Sequence, residues 1–172
     1  MSRKQHILIP VDFSNISLEA VNAARDLSFP DTEITLLHVY DITQDQGPAT
    51  RDIAPPQKGL PKEVEKQLLD SLKRIRESRL GDVKEVNLNI EISRFPAKAI
   101  CQFAERELVD LIVITTHGRT GLSHIVMGSV AEDVVRKAPC PVLVMRKRKV
   151  PTDSEKGKIG PSSEKQSPHF PL

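Results

Sequence analysis

Short apolar runs recur along the first 145 residues of the chain, and segments with helical spacing separate them. Five runs have the length of β-strands, and they cover residues 7–11, 34–39, 86–92, 111–115 and 141–145. Four segments between them have the periodicity of amphipathic helices, and the last helix is predicted from about Ser129 to Lys137. The first helix is predicted to follow a cap at Ser14 or Asn15, and its apolar positions recur every three residues, at Leu18, Val21, Ala24 and Leu27.

Strands that alternate with helices predict right-handed crossovers and a parallel sheet covered by helices on both faces. The first, second and fourth runs are continuously apolar, which is typical of central strands, whereas the third alternates like an edge strand. We therefore predict an α/β fold with a doubly wound, five-stranded parallel sheet in the order 3-2-1-4-5. The order reverses between strands 1 and 4, so a ligand is expected beyond their carboxyl ends, near Asp12 and Thr115.

The 172 residues suffice for one domain of ordinary size with an appendage. We predict a single domain over residues 1–146, interrupted by a flexible loop at 41–60 that contains three prolines. Residues 147–172 contain four prolines and almost no apolar run, so they are predicted to form a disordered basic tail.

Charge and hydropathy exclude several classes of protein. The net charge is +2, and residues 146–172, with seven basic and three acidic side chains, account for +4, so the domain is slightly acidic. With one tyrosine and no tryptophan, specific nucleic-acid binding is not expected, and the basic run at 146–149 is interpreted as a solvated strand end or a weak polyanion contact. No apolar stretch reaches membrane-spanning length, and the first is too short for a signal peptide, so a cytoplasmic protein is expected.

Side chains that often carry catalysis give only faint signals. Cys101 and Cys140 stand 39 residues apart in apolar contexts, and we predict buried structural thiols rather than a disulfide framework. His117 and His124 lie in a loop that contains glycines, where local packing or hydrogen bonding is the favoured interpretation over a metal or acid–base pair. No zinc spacing or Ser-His-Asp arrangement emerges, so no catalytic residue is predicted.

The glycines around the last helix indicate two alternatives. Gly118 is followed by nine residues and then by Gly128-Ser129 at the start of the helix, where free amides and the helix dipole favour a phosphate. Arg119 would add positive charge. The spacing from Ser129 to Glu132 equally fits a capping box, which satisfies the same amides without a ligand. The motif is neither a P-loop nor a dinucleotide fingerprint.

Three separated motifs resemble the universal stress protein family. They are ILIPVDFSNIS, LLHVYD and THGRTGLSHIVMGSVAEDVVRKAPCPVLVMR, and the resemblance covers about residues 3–146. It implies one doubly wound domain that is Rossmann-like and similar to the adenine nucleotide alpha hydrolases, and that is usually a homodimer. One subgroup of the family binds ATP and another does not. The nucleotide-binding pattern is Gly-x-x-Gly, nine residues, then Gly-Ser or Gly-Thr, and here Thr115 replaces its first glycine.

The resemblance also implies roles for the matched positions. Asp12 would contact the nucleoside, the backbone of Val39 the adenine, and Thr115 the ribose side. The other implied nucleotide-binding residues are Pro10, Val11, Gly118, Arg119, Gly128, Ser129 and Val130. Magnesium could accompany bound ATP, with its ligands coming mainly from phosphates and water. For Asp12, capping of the following helix is the alternative from the residues alone.

The fifth strand predicts self-association, because an apolar edge strand invites pairing. Val142 and Val144 are predicted to form a two-fold dimer seam, unless the tail folds back over the strand.

Two function classes follow: an ATP-binding stress-response regulator that acts as a nucleotide-responsive dimer, or a nucleotide-free dimeric interaction module. An enzyme that uses ATP with slow hydrolysis is a third and weaker hypothesis, since the sequence identifies no general base.

Overall fold

A computed structural model describes residues 4–41, 59–116 and 127–146 of the chain. Its elements in chain order are β1 His6–Pro10, α1 Ser17–Asp26, β2 Glu33–Tyr40, α2 Lys62–Arg79, β3 Glu85–Ile92, α3 Pro96–Arg106, β4 Leu111–Thr115, α4 Ser129–Lys137 and β5 Val142–Met145. Several sequence predictions lie outside the described residues, namely those for His117, Gly118, Arg119, His124, most of the 41–60 loop and the 147–172 tail.

The five strands form one parallel sheet in the order β3-β2-β1-β4-β5, which confirms the predicted fold class and strand order. In the central strand β1, Ile7, Leu8 and Ile9 are fully buried, because helices cover both faces of the sheet. Pro10 pairs with Leu37 at the end of this strand, where a missing donor is tolerated. The alternating strand β3 lies at the edge, as its pattern predicts.

Hydrophobic side chains pack into two clusters, one on each face of the sheet. Ile7 and Ile9 point into the cluster under α1 and α2, whereas Leu8 points into the cluster under α3 and α4. Successive residues of a strand face opposite sides, so one continuous apolar run supplies both clusters. The sheet therefore lies between two layers of helices, α1 and α2 on one face and α3 and α4 on the other.

Helix α1 departs from its predicted boundaries. It begins at Ser17, so neither Ser14 nor Asn15 is its N-cap; instead the hydroxyl of Ser14 accepts the Ser17 amide at 3.2 Å. Leu27, the last apolar position of the predicted helix, has a side chain that is 43% exposed. Leu27 lies just past the last helical residue, and the buried face is instead formed by Ser17, Ala20, Val21 and Ala24.

The two thiols are less buried than the sequence analysis predicts. Cys101 and Cys140 are free and only half-buried, and both pack against the cluster under α3 and α4. This partial burial raises the pKa of both thiols, because it disfavours the thiolate. A raised pKa lowers the fraction of reactive thiolate, which agrees with a structural role.

The described helices also bear on membrane insertion. None of the helices within residues 4–41, 59–116 and 127–146 is long and apolar enough to cross a bilayer.

Candidate functional site

A cavity of about 510 Å³ opens beyond the carboxyl ends of β1, β2 and β4, within the usual range for ligand pockets. Eight of the ten residues predicted to bind nucleotide line it: Pro10, Val11, Asp12, Val39, Thr115, Gly128, Ser129 and Val130. The remaining two, Gly118 and Arg119, lie outside the described residues. The sheet brings these positions together because parallel strands all end at the same edge.

Asp12 lies two residues past the end of β1 and lines the cavity. Its Oδ1 accepts hydrogen bonds from the Ser14 amide at 3.0 Å and the Ser14 hydroxyl at 2.6 Å. Ser14 in turn accepts the Ser17 amide, so Asp12 supports the start of α1 through Ser14 and not as its cap. Burial acts to raise the pKa of Asp12, but the hydrogen bonds from Ser14 and Ser17 outweigh it, and the pKa lies below its ordinary 3.8.

The lowered pKa predicts how Asp12 affects stability with pH. A carboxyl whose pKa is depressed by folding stabilises the native state above its unfolded pKa of about 3.8, and loses that contribution as the pH falls through the lower folded value. Asp12→Asn should therefore lose less free energy of unfolding than the wild type between about pH 5 and pH 2. Urea unfolding across this range measures the difference. Asp26→Asn on the exposed end of α1 is the control, and an equal loss in Asp12→Asn and wild type would contradict the prediction.

His38 is a site residue that the sequence analysis missed. It is only 7% exposed, lines the cavity and donates its Nδ1–H to the carbonyl of Val11 at 2.8 Å. This bond ties the end of β2 to the end of β1, directly before Asp12. A histidine inside the apolar run ITLLHV was the available signal, since a buried polar side chain requires a partner.

The glycine at position 128 is needed for space. The amide of Gly128 donates to the carbonyl of Thr116 at 2.6 Å, and a Cβ at Gly128 would lie 3.0 Å from that oxygen. Its φ of −60° and ψ of 146° are open to any residue, so conformation is not the reason for glycine. Thr116 also donates its amide to Met145 in β5 at 3.0 Å. Gly128 therefore lets the start of α4 lie directly against the end of β4.

The predicted capping box at Ser129 and Glu132 is wrong. Gly128 is the N-cap of α4 and Ser129 is its first helical residue, so the serine stands one position too late for the box. The carboxylate of Glu132 instead accepts a hydrogen bond from Arg136 at 2.6 Å. Among the described residues no side chain caps this helix, and Ser129 is exposed at the cavity. Within the described part of the chain, the first amides of α4 thus lack a side-chain cap, and such amides favour an anion.

The charged groups on the cavity wall are acidic. Asp12 and Asp41 line it, and no lysine or arginine is present among the described residues of the lining. The described ranges also contain no cluster of three His, Cys, Asp or Glu side chains that could hold a metal ion. Within this part of the chain, attraction for an anion thus depends on backbone amides at the start of α4.

The cavity lies at the point where the strand order reverses, as in doubly wound α/β proteins that bind a ligand beyond their strands. The model of the universal stress protein family matches residues 4–146, and the chain belongs to this family. A curated relative, universal stress protein MJ0531 of Methanocaldococcus jannaschii, is 37% identical over 155 residues, which cover 83% of this chain and 82% of the relative.

Solved structures show the same architecture. The structure of MJ0577 from the same archaeon has a TM-score of 0.68 and 29% identity, and the match covers 85% of this chain and 98% of that protein. A universal stress family protein from Arabidopsis thaliana, solved with AMP bound, has a TM-score of 0.55 and 21% identity. That match covers 87% of this chain and 97% of the plant protein, and it shows a shared fold.

Proposed function

We propose that this universal stress protein binds an adenine nucleotide in the cavity beyond β1 and β4 and acts in the cytoplasm as a nucleotide-responsive regulator. The observation that carries the proposal is that one cavity is lined both by Asp12, whose lowered pKa favours the ionised form, and by the start of α4, which no described side chain caps. The plant relative with bound AMP supports the choice of an adenine nucleotide. We further propose that residues 1–146 form the binding domain and 147–172 an appendage.

The charges of Asp12 and of the start of α4 would orient a bound nucleotide. An ionised carboxylate only accepts hydrogen bonds, so Asp12 suits the hydroxyl or amino groups of a nucleoside and repels a phosphate. The start of α4, with Ser129 and Val130 at the cavity, suits the phosphates because amides and the helix dipole favour an anion. Val39 lies two residues past the last β1–β2 pair, where its backbone would meet the adenine. Arg119 and Mg²⁺ would supply the positive charge that a triphosphate requires.

Calorimetry and thermal unfolding with AMP, ATP and ATP with Mg²⁺ test this proposal directly. A nucleotide at about 100 times its dissociation constant is expected to raise the free energy of unfolding by about 2.7 kcal/mol. Inorganic phosphate is the control for simple anion binding and should give a much smaller shift. If none of the adenine nucleotides stabilises the protein, nucleotide binding as its function is refuted.

The second candidate function is a nucleotide-free dimeric interaction module, and Thr115 favours it. This residue stands where the nucleotide-binding pattern has glycine and it lines the cavity, and a side chain at this position would crowd an approaching ribose or phosphate. Thr115→Gly separates the candidates. Nucleotide binding by this variant but not by the wild type would support the nucleotide-free module, whereas binding by both supports the regulator.

We also propose that two copies associate through β5. It is an edge strand, and all four of its residues are half-buried. Val142 and Val144 pack toward α3 and α4, whereas Leu143 and Met145 face the opposite cluster. A second copy paired along β5 would cover both faces of the strand and satisfy its outer backbone groups.

A further inference from the structure

The turn after β1 passes through a conformation that most residues avoid. Phe13 has a φ of +63°, in the left-handed region where a side chain crowds its own backbone and glycine is favoured. Leu108, with a φ of +52°, is the other such non-glycine residue in the described ranges. A bulky side chain persists in this region only where surrounding contacts hold it there, and such strain is concentrated at functional sites.

The contacts that hold Phe13 lie at the cavity. Its ring centroid is 4.4 Å from that of His38, with the two planes inclined at 37°. The ring also packs against the hydrophobic cluster under α1. His38 lines the cavity and donates to the carbonyl of Val11. His38 therefore contacts both neighbours of Asp12, Val11 before it and Phe13 after it.

Asp12 therefore stands between two fixed neighbours. The imidazole of His38 donates to the carbonyl of Val11, and the ring of Phe13 packs on the same imidazole. Phe13, with its left-handed φ, lies between Asp12 and Ser14, and the amide and hydroxyl of Ser14 both donate to Oδ1 of Asp12. The carboxylate of Asp12 is therefore hydrogen-bonded to the residue that follows the strained position.

We propose that Phe13 is a positioning residue for the nucleotide site: its ring, packed on His38, holds the strained turn that aims the Asp12 carboxylate into the cavity. Phe13 is not among the described residues that line the cavity, so its effect on a ligand passes through Asp12 and His38. The inference rests on the proposed function in one respect, that the ligand is an adenine nucleotide. The arrangement of the turn stands independently of the ligand.

Phe13→Gly is the main test, because it removes the ring and lets the turn adopt other conformations. We expect the dissociation constant for AMP to rise about ten-fold, since a pre-organised contact becomes mobile. In the nucleotide-free protein, the pKa of Asp12 should rise toward its ordinary value as the bonds from Ser14 loosen. Calorimetry measures the first effect, and carboxyl ¹³C NMR the second. Phe13→Leu keeps apolar bulk without an aromatic ring and should shift both quantities less.

Leu108→Gly is the matched control. It relieves the same kind of strain in the segment before the amino-terminal end of β4, whereas the cavity lies beyond the carboxyl ends of the strands. The Leu108 side chain is 67% exposed. Both the AMP affinity and the pKa of Asp12 should stay unchanged in this variant. The other titratable side chains on the described cavity wall are His38, Tyr40 and Asp41, and their resonances are followed in the same titration.

The outcomes separate the positioning role from the proposed function. Unchanged AMP affinity and unchanged Asp12 pKa in Phe13→Gly would overturn the inference. If the wild type does not bind AMP, the proposed function fails, and the positioning role is then tested by the pKa of Asp12 alone. A higher Asp12 pKa in Phe13→Gly than in the wild type supports the positioning role, and an equal pKa overturns it. If circular dichroism shows that Phe13→Gly is unfolded, the pKa of Asp12 in Phe13→Leu decides in the same way.

Discussion

Gly128→Val is expected to lower the free energy of unfolding by about 3 kcal/mol, because overpacking at a backbone contact is costly. A Cβ at this position would already lie 3.0 Å from the Thr116 carbonyl oxygen, and the branched side chain adds two further methyl groups. The start of α4 must then move away from the end of β4, and the 2.6 Å bond between Gly128 and Thr116 is lost. Since this shift displaces the amides proposed to hold phosphate, nucleotide binding should be lost as well. Urea unfolding and calorimetry with AMP measure the two effects.

The adjacent residue provides the matched control. Ser129 is exposed and does not act as the cap of α4, so Ser129→Ala should change the free energy of unfolding by less than about 0.5 kcal/mol. Its affinity for AMP should nevertheless fall, because the variant removes a hydroxyl donor at the cavity. A stability loss of about 1 kcal/mol or more in Ser129→Ala would show that the serine has a structural role in the helix start.

Val144→Glu is expected to convert the proposed dimer into a monomer. At a two-fold seam the introduced carboxylates of both copies approach each other, and like charges at an interface cost several kcal/mol. A penalty of about 3 kcal/mol corresponds to a dissociation constant raised by more than 100-fold. Sedimentation equilibrium of the 19.2 kDa chain measures the change in mass.

Two controls keep the dimer prediction decisive. Val144→Thr has a similar shape and no charge, so it should stay folded and weaken the dimer less. A chain that ends at Arg146 lacks the tail and should remain dimeric if β5 itself forms the seam. A monomeric mass in both the full-length and the shortened wild type would refute the dimer, whereas a dimer only in the shortened chain would show that the tail covers β5.

Burial patterns allowed most of the fold to be predicted. The apolar runs at 7–11 and 111–115 predicted the central strands β1 and β4, and the alternating run at 86–92 predicted the edge strand β3. The order of strands then predicted where a cavity would lie, and Asp12 and Thr115 do line it. Errors fell at the ends of elements, as at Leu27, because an apolar side chain there can lie beyond the last turn.

The sequence by itself determined the α/β class, the order of the strands and the edge at which Asp12, Thr115 and Ser129 converge. These follow from periodicity, which records whether an entire face of an element is buried. Only the tertiary structure decided that Gly128 is required by the Thr116 carbonyl and that the ring of Phe13 packs on His38. Such contacts depend on distances of a few ångströms between elements that are distant in sequence, and no local pattern records those distances.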